Sequence, residues 1–347
     1  MTTATPTDLS QSWAALRDAQ PRLRIRDAAR QLGVSEGRLL ATRTGRGVRR
    51  LRPEWPALFE GLCGLGPVMA LTRNEHAVIE KDGAYADVSF QGHVGLVLGG
   101  AIDLRLFPHA FAHAFAVTDE GPRGTMRSLQ VFGGDGTALH KVFLREASDV
   151  AAYEALVESL LSDDQGPGFE ERAGRPARPE QPDADIDREA LLEGWRGMQD
   201  THDFHGLLMK SGVGREQALR LAEGEFARRA PRDAHRYVLG AAAELDVPIM
   251  VFVGSPGVIE IHSGPVVKLA EHGEWFNVMD PDFNLHLHEP GLARSWVVTK
   301  PTADGVVTSL EVYDEAGQVV VQFFGVRKPG RPEDAEWRSI VESVPRA

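Results

Sequence analysis

The sequence predicts an α+β protein built as two tandem structural repeats, each a large antiparallel β-sheet with flanking helices. Three observations lead there. The first is self-similarity at long range. Pro67 and Pro248, Arg105 and His286, Ser128 and Ser309, and Gly136 and Gly317 stand in matching contexts, each pair 181 positions apart. A period that long marks a duplicated domain, because solenoid repeats run about 20–50 residues. The second is the order of patterns in each half: helical periodicity first, then short β-rich runs separated by turn residues, without βαβ alternation. The third is residues 163–187, rich in Pro, Gly and charge and poor in apolar periodicity, which read as a linker. The repeats are therefore placed at 1–162 and 188–347.

Taken in order, residues 1–8 read as irregular and 9–19 show helical spacing. Residues 23–41 read as two short helices around Gly33 and Val34, with Ser35 capping the second. A further helix is expected at 55–63. Strands follow at 68–72, 77–81, 85–90, 94–98, 104–107, 113–118, 128–132 and 139–144, with the Gly-Gly-Asp-Gly of 133–136 as a hairpin turn. A helix at 148–161 closes the half. The second half repeats this order: helices at 188–197, 201–210, 215–229 and 231–245, strands between 248 and 322, and a last helix at 333–343. About eight or nine strands are expected in each sheet.

Composition bounds the function. The 347 residues are 42% hydrophobic and 25% charged, enough for full hydrophobic cores. Cys63 is the single cysteine, which excludes an internal disulfide and a cysteine-based metal site and fits a reducing compartment. The start, Met-Thr-Thr-Ala-Thr-Pro, lacks the basic and apolar runs of a signal peptide. No stretch of about 18 apolar residues exists, so no membrane insertion is expected and the cytoplasm is the expected location. A net charge of −12 weighs against nucleic acid as a partner. Within that acidic whole, basic clusters at 43–52, 215–229 and 327–331 suit a small anion, or are solvated surface. Residues 26–40 resemble a DNA-reading helix-turn-helix, but the pattern returns at 207–219, which makes it a structural unit of the repeat.

Three constellations carry chemistry. His202 and His205, in Asp200-Thr-His-Asp-Phe-His205, are spaced to share one face of a helix beginning near Asp200 or Thr201; the first copy has Arg22-Leu-Arg-Ile-Arg-Asp27 there. Neutral imidazole suits zinc, copper or haem iron, although paired histidines are equally at home on a solvated helix. In Phe283-Asn-Leu-His-Leu-His288, alternation puts His286 and His288 on one face of a strand and Leu285 and Leu287 on the other. Finally, Trp296-Val-Val-Thr-Lys300 and Gln322-Phe-Phe-Gly-Val-Arg327 interleave aromatics with cations, which suits a flat apolar ligand bearing acidic groups, or an ordinary amphipathic strand. P-loop, nucleophile-elbow and His-Glu-x-x-His motifs are absent. His109 and His113 lie among strand-like residues beside Pro108 and are not read as a metal pair.

These segments together resemble the cytoplasmic haemin-degrading or haem-trafficking factors of the HemS/HmuS/ChuS/PhuS type, over nearly the whole chain. The resemblance rests on Leu23-Arg-Ile-Arg-Asp-Ala-Ala, Asp103-Leu-Arg-Leu-Phe107, the Asp200 segment, Asn277-Val-Met-Asp-Pro-Asp-Phe-Asn-Leu-His-Leu287, Val298-Thr-Lys-Pro-Thr302 and Gln322-Phe-Phe-Gly-Val-Arg-Lys-Pro-Gly330. It implies haem as the bound group, His202 as axial iron ligand and His205 as an alternative. It implies Arg105 as the distal residue, and as the catalytic one if the protein is an enzyme, with Phe107 walling the haem. Lys300, Gln322, Phe324 and Arg327 would hold the macrocycle and its propionates, with Lys210 and Arg215 assisting. Some relatives have a tyrosine near the pocket at the place assigned here to Val321. Two activities fit the resemblance: haem trafficking, from an inner-membrane ABC importer to a haem oxygenase, or haem degradation with O2 and an external reductant. No flavin or nicotinamide fingerprint is visible.

Overall fold

The computed structural model describes residues 5–121, 124–173, 179–327 and 330–347. Its helices are α1 (Pro6–Ala19), α2 (Ile25–Leu32), α3 (Glu36–Ala41), α4 (Trp55–Gly61), α5 (Val150–Ser159), α6 (Arg188–Arg196), α7 (Asp203–Ser211), α8 (Arg215–Leu221), α9 (Ala234–Glu244) and α10 (Ala335–Glu342). Its strands in the first half are β1 (Val48–Leu51), β2 (Val68–Arg73), β3 (Ala77–Gly83), β4 (Val88–Gln91), β5 (Val94–Val97), β6 (Asp103–Leu106), β7 (Phe111–Gly121), β8 (Gly124–Gly133) and β9 (Ala138–Leu144). In the second half they are β10 (Ala227–Ala230), β11 (Ile249–Gly254), β12 (Val258–Gly264), β13 (Leu269–His272), β14 (Trp275–Met279), β15 (Phe283–His288), β16 (Arg294–Thr302), β17 (Gly305–Tyr313) and β18 (Val319–Gly325).

Two nine-stranded antiparallel sheets result, in the orders β1-β7-β8-β9-β2-β3-β15-β14-β13 and β10-β16-β17-β18-β11-β12-β6-β5-β4. Adding nine to each strand number of the first half, and subtracting nine from each of the second, turns one order into the other. The duplication read from sequence is thus a duplication of topology, down to its irregularities: the β8–β9 pair shifts register at Val131/Phe132 and the β17–β18 pair at Val312/Tyr313.

The chain forms two compact units. Unit 1 comprises Met1–Arg73, Glu80–Arg175 and Ser255–Glu260; unit 2 comprises Asn74–Ile79, Pro176–Gly254 and Ile261–Ala347. In unit 1 the run β1-β7-β8-β9-β2 is accompanied by β4–β6, which end on Val258–Glu260 of β12; the Phe107 N–H donates to the Gly257 carbonyl at 2.8 Å. Unit 2 does the same with β13–β15 and Ala77–Ile79 of β3, and the His288 N–H donates to the His76 carbonyl at 2.8 Å. Sequence patterning assigns each strand by its own periodicity and carries no signal for this exchange of one short segment per repeat. The core of unit 1 gathers Phe59, Leu104, Leu129, Val131, Tyr153 and Val258. That of unit 2 has one layer around Val251, Phe283, Leu310 and Trp337 and another around Trp195, Phe204, Trp296 and Tyr313.

Each repeat opens with the same helix–turn–helix. Gly33 (φ +66°) and Gly212 (φ +67°) end α2 and α7 in the left-handed conformation, and the next residue's N–H reaches back to Ala29 or Leu208. A Cβ on Gly33 would meet nothing within 4 Å. Gly33→Ala should therefore show the backbone cost alone, about 1 kcal/mol, read as a fall in Tm of roughly 2–4 °C. An unchanged Tm would contradict the cap.

Several expectations need correction. α1 starts at Pro6, because Thr5 and Asp8 form a capping box; residues 1–4 lie outside the described residues. The strand expected at 85–90 is β4, starting at Val88, since Asp87 takes φ +45° and breaks the extension. β1 and β10 were read as parts of basic clusters, so the helix expected at 215–229 ends at Leu221. The arginines of 43–52 are consumed inside unit 1: Arg49 by Glu154 and Glu158, Arg50 by the carbonyls of Gly166 and Gly168, Arg52 by those of Ser159 and Leu161. Lys328 and Pro329 of the third cluster, and 174–178 of the linker, lie outside the described residues. The rest of the linker is tied down. Glu171 binds Ser35 (2.5 Å) and Arg38, and Phe169 stacks on Phe115, all within unit 1. Asp183 and the Gln181 carbonyl bind Arg220 and Gln217 within unit 2. Arg38 and Gln217 are equivalent positions, 179 apart.

Candidate functional site

The histidine segment lies between α6 and α7 in unit 2. α7 begins at Asp203, later than the expected Asp200 or Thr201. The Asp203 carboxylate turns back to accept from the N–H groups of Gln199 and Asp200 at 3.0 and 2.9 Å, which closes a turn before the helix. His202 is the residue immediately before α7 and its side chain is 88% exposed. Its backbone N–H donates to Asp200 Oδ1 at 2.8 Å, and its ring Nδ1 lies 2.5 Å from the same oxygen. A carboxylate acceptor at Nδ1 holds the tautomer whose Nε2 lone pair faces outward, as metal-ligating histidines are held. Donation from the His202 backbone, with lesser help from its ring, lowers the Asp200 pKa. His205 is exposed on the first turn of α7, and Lys210 is exposed near its end.

Between the histidines, Phe204 turns inward. It is 1% exposed and meets Trp195 edge-on at 4.5 Å. Lys300 Nζ lies 4.8 Å from its ring centre, and the Arg215 guanidinium 5.1 Å. This is the end of the sheet face that the sequence singled out. Register places Lys300 of β16, Ser309 and Glu311 of β17, Gln322 and Phe324 of β18 and Phe252 of β11 on one face: Glu311 pairs with Gln322, Ser309 with Phe324, and Phe252 with Gln322. Phe252 and Phe324 contact edge-on at 5.0 Å. Val321, where a pocket tyrosine was looked for, alternates to the opposite face and is fully buried in the other core layer. It does not belong to this face.

Lys300 was expected to hold the acids of the ligand, with Arg215 assisting. The structure shows both bonded to Glu311, which sequence reasoning missed. Arg215 donates to its two oxygens at 2.8 and 2.7 Å, Lys300 at 2.9 Å and the Tyr313 hydroxyl at 2.7 Å. Burial alone would raise the Glu311 pKa, but Arg215 and Lys300 overcome it and hold the carboxyl well below the usual range. Burial, with Arg215 nearby, pulls Lys300 down to about 8 despite Glu311. A signal existed: the first copy has Ser128-Leu-Gln130 where the second has Ser309-Leu-Glu311, and Lys300 answers Asp119. At the rim, Gln322 Nε2 and Arg327 Nε are buried and have no hydrogen-bond partner among the described residues.

Arg105 and Phe107 belong to unit 1. Arg105 is half-buried on β6, its guanidinium on Asp103; Phe107 follows β6, its ring 6.4 Å from that of His109. In unit 2, β15 alternates as expected, with Leu285 and Leu287 buried. His286 Nδ1 lies 2.7 Å from Asn277 Oδ1, and His288 Nε2 lies 3.4 Å from Glu274. Among the described residues no three His, Cys, Asp or Glu side chains are grouped to hold a metal ion, and no helix is long and apolar enough to cross a membrane.

Comparison with known proteins agrees with this duplicated geometry. The family model described as the haemin-degrading HemS/ChuX domain matches twice, over residues 33–160 and 212–344. The hemin transport protein HmuS of Yersinia pestis is 37% identical over 336 residues, 96% of each chain. The crystal structure of holo-PhuS, a heme-binding protein from Pseudomonas aeruginosa, superposes with a TM-score of 0.97 at 50% identity, over 99% of this chain and 100% of that one. The heme degrading enzyme ChuS of Escherichia coli O157:H7 gives a TM-score of 0.92 at 32% identity, over 98% and 99%.

Proposed function

Because the chain belongs to the haemin-degrading HemS/ChuX family, we propose that it is a cytoplasmic haem-binding protein, with His202 as the axial iron ligand, that takes up imported haem and hands it on for iron release. The observation that carries this reading is the pairing of an exposed imidazole, its Nδ1 held by Asp200, with an aromatic and cationic sheet face whose rim carries two buried donors without a hydrogen-bond partner among the described residues. Bound haem supplies iron with an open axial position and two acidic side groups. His202 presents Nε2 to such an iron. Phe324 and Phe252 offer apolar surface to a flat ring. Gln322, Arg327 and the Lys300–Arg215 pair face its acids, and Lys210 assists at the rim. His205 stands one turn away as a replacement ligand. Arg105 and Phe107 keep the distal and wall roles implied by their family segment, on sequence grounds. An ABC importer in the inner membrane as source and a haem oxygenase as recipient belong to the same reading.

The second reading, haem degradation, is favoured by the likeness to ChuS, which is described as a heme degrading enzyme. One experiment separates the two. The purified protein and His202→Ala are titrated with haemin while the Soret band is followed, and ascorbate is then added in air with catalase present. Saturable 1:1 binding is expected, weakened about tenfold or more with a shifted Soret band in His202→Ala, equivalent to roughly 1.4 kcal/mol. Absence of binding would end the haem reading. A Soret band that survives ascorbate supports the carrier; conversion to a biliverdin-like product despite catalase supports the enzyme.

A further inference from the structure

We propose that Glu311 is the positioning residue of an anion subsite: it fixes Lys300 and Arg215 as a charged pair with one positive charge left over, matched to one carboxylate of the ligand. The inference rests on the haem reading above and adds a role for a side chain that does not itself touch the ligand.

Glu311 is fully buried and Lys300 is 2% exposed. Oε1 accepts from Lys300 and Arg215, and Oε2 from Arg215 and the Tyr313 hydroxyl. The Ser309 hydroxyl stands 3.4 Å from Oε1. These contacts use both oxygens, so the carboxylate is spent on holding the cations. The titratable groups facing the cluster can be named element by element. β16 brings Lys300, β17 brings Glu311 and Tyr313, and α8 brings Arg215. α7 and β18 bring only the rings of Phe204 and Phe324 against Lys300, at 4.8 and 5.9 Å. The neighbouring acid on α8, Glu216, is taken by Arg294. Two cations and one anion leave a net charge of +1, with Lys300 and Glu311 buried and the Arg215 side chain 30% exposed. Such a charge is strongly favourable to an incoming carboxylate and indifferent to an ester.

Glu311 is what makes the arrangement durable. A lysine ammonium on aromatic rings without a counter-ion sheds its proton rather than stay charged. The other repeat is built differently. It has Gln130 for Glu311, Asp119 for Lys300 and, counted back from the matching caps Gly33 and Gly212, Leu23 for His202. Its own buried carboxylate, Glu36, stands at the position of Arg215 and is held by Lys141 and Arg73.

The test compares haemin with haemin dimethyl ester on the full-length wild type, Glu311→Gln and Lys300→Met, from pH 6 to 9.5, with folding checked by circular dichroism. Wild type is expected to prefer the free acid about tenfold near neutrality, the preference fading as pH rises through about 8, where Lys300 loses its proton. In Glu311→Gln the lysine is already neutral near pH 7 and Arg215 alone carries the charge, so the decline of the preference near pH 8 should disappear. In Lys300→Met the neutral Arg215–Glu311 pair remains, so the preference should shrink to the share of Arg327 and Gln322 and no longer change through pH 8. If Glu311→Gln does not fold, Lys300→Met decides. A decline near pH 8 that persists in Glu311→Gln, or a preference undiminished in Lys300→Met, would overturn the proposal while leaving haem binding intact. Failure of wild type to bind either compound would instead overturn the haem reading and, with it, this subsite.

Discussion

Replacing Phe204 by alanine is expected to destabilise the protein by about 3–5 kcal/mol. The ring is 1% exposed, packs edge-on against Trp195 and lies beneath two cations. Truncation removes the apolar contact, leaves a cavity beside Trp195, and strips Lys300 and Arg215 of the ring that faces them. Phe204→Leu separates the contributions: it refills most of the volume and should recover all but about 1–2 kcal/mol, the share of the ring itself. Urea unfolding read by tryptophan fluorescence gives both numbers. Equal midpoints for wild type and Phe204→Ala would show that α7 is not anchored by this ring. Because His202 and His205 flank Phe204, the alanine variant should also broaden the haemin titration.

The second large effect is a pH dependence written into unit 1. Glu260 is fully buried next to Thr72, and neither carboxyl oxygen has a well-formed hydrogen-bond partner among the described residues. His140, 3.9 Å away, spends its ring nitrogens on Thr72 (2.8 Å) and Tyr85 (2.6 Å). Burial pushes Glu260 up to about 8 and His140 down to about 3. Both are therefore neutral near pH 7, and the short distance between them is not an ion pair. For Glu260 the folded pKa is the raised one. Its contribution is whole below the unfolded value near 4.5 and is lost progressively until pH reaches about 8. At about 1.4 kcal/mol per unit, the loss is on the order of 4–5 kcal/mol. His140 is the opposite case, with stability present above 6.5 and lost as pH falls towards 3. Glu260→Gln should flatten the alkaline side of the stability–pH curve and leave the acid side in place. A variant whose stability still falls between pH 5 and 8 as steeply as wild type would refute the assignment.

Much of this was legible in the sequence, for identifiable reasons. The duplication was read from matched positions, and the shared register bulge and glycine caps show that those matches encode backbone geometry. Lys300, Gln322 and Phe324 could be grouped because their segments interleave aromatics with cations and match the family's pocket segments; the β16–β17–β18 register then puts them on one face. Glu311 was missed because an acid among β-branched neighbours reads as surface until its partners, 11 and 96 residues away, are known. The start of α7 was misplaced because Asp200, Thr201 and Asp203 all have capping chemistry, and only the hydrogen bonds of Asp203 choose between them. The linker looked structureless because side chains and carbonyls hold it in place, and periodicity cannot register such contacts.

The six-residue segments Asn74–Ile79 and Ser255–Glu260 each complete the unit encoded mainly by the other half of the chain. After duplication, neither copy could be deleted or inherited alone without leaving its sibling short of a strand. The copy with Leu23 in place of the histidine is thereby retained by architecture, whatever its own chemistry. Its polar residues differ, as at Gln130 and Asp119, while its strand order is the same.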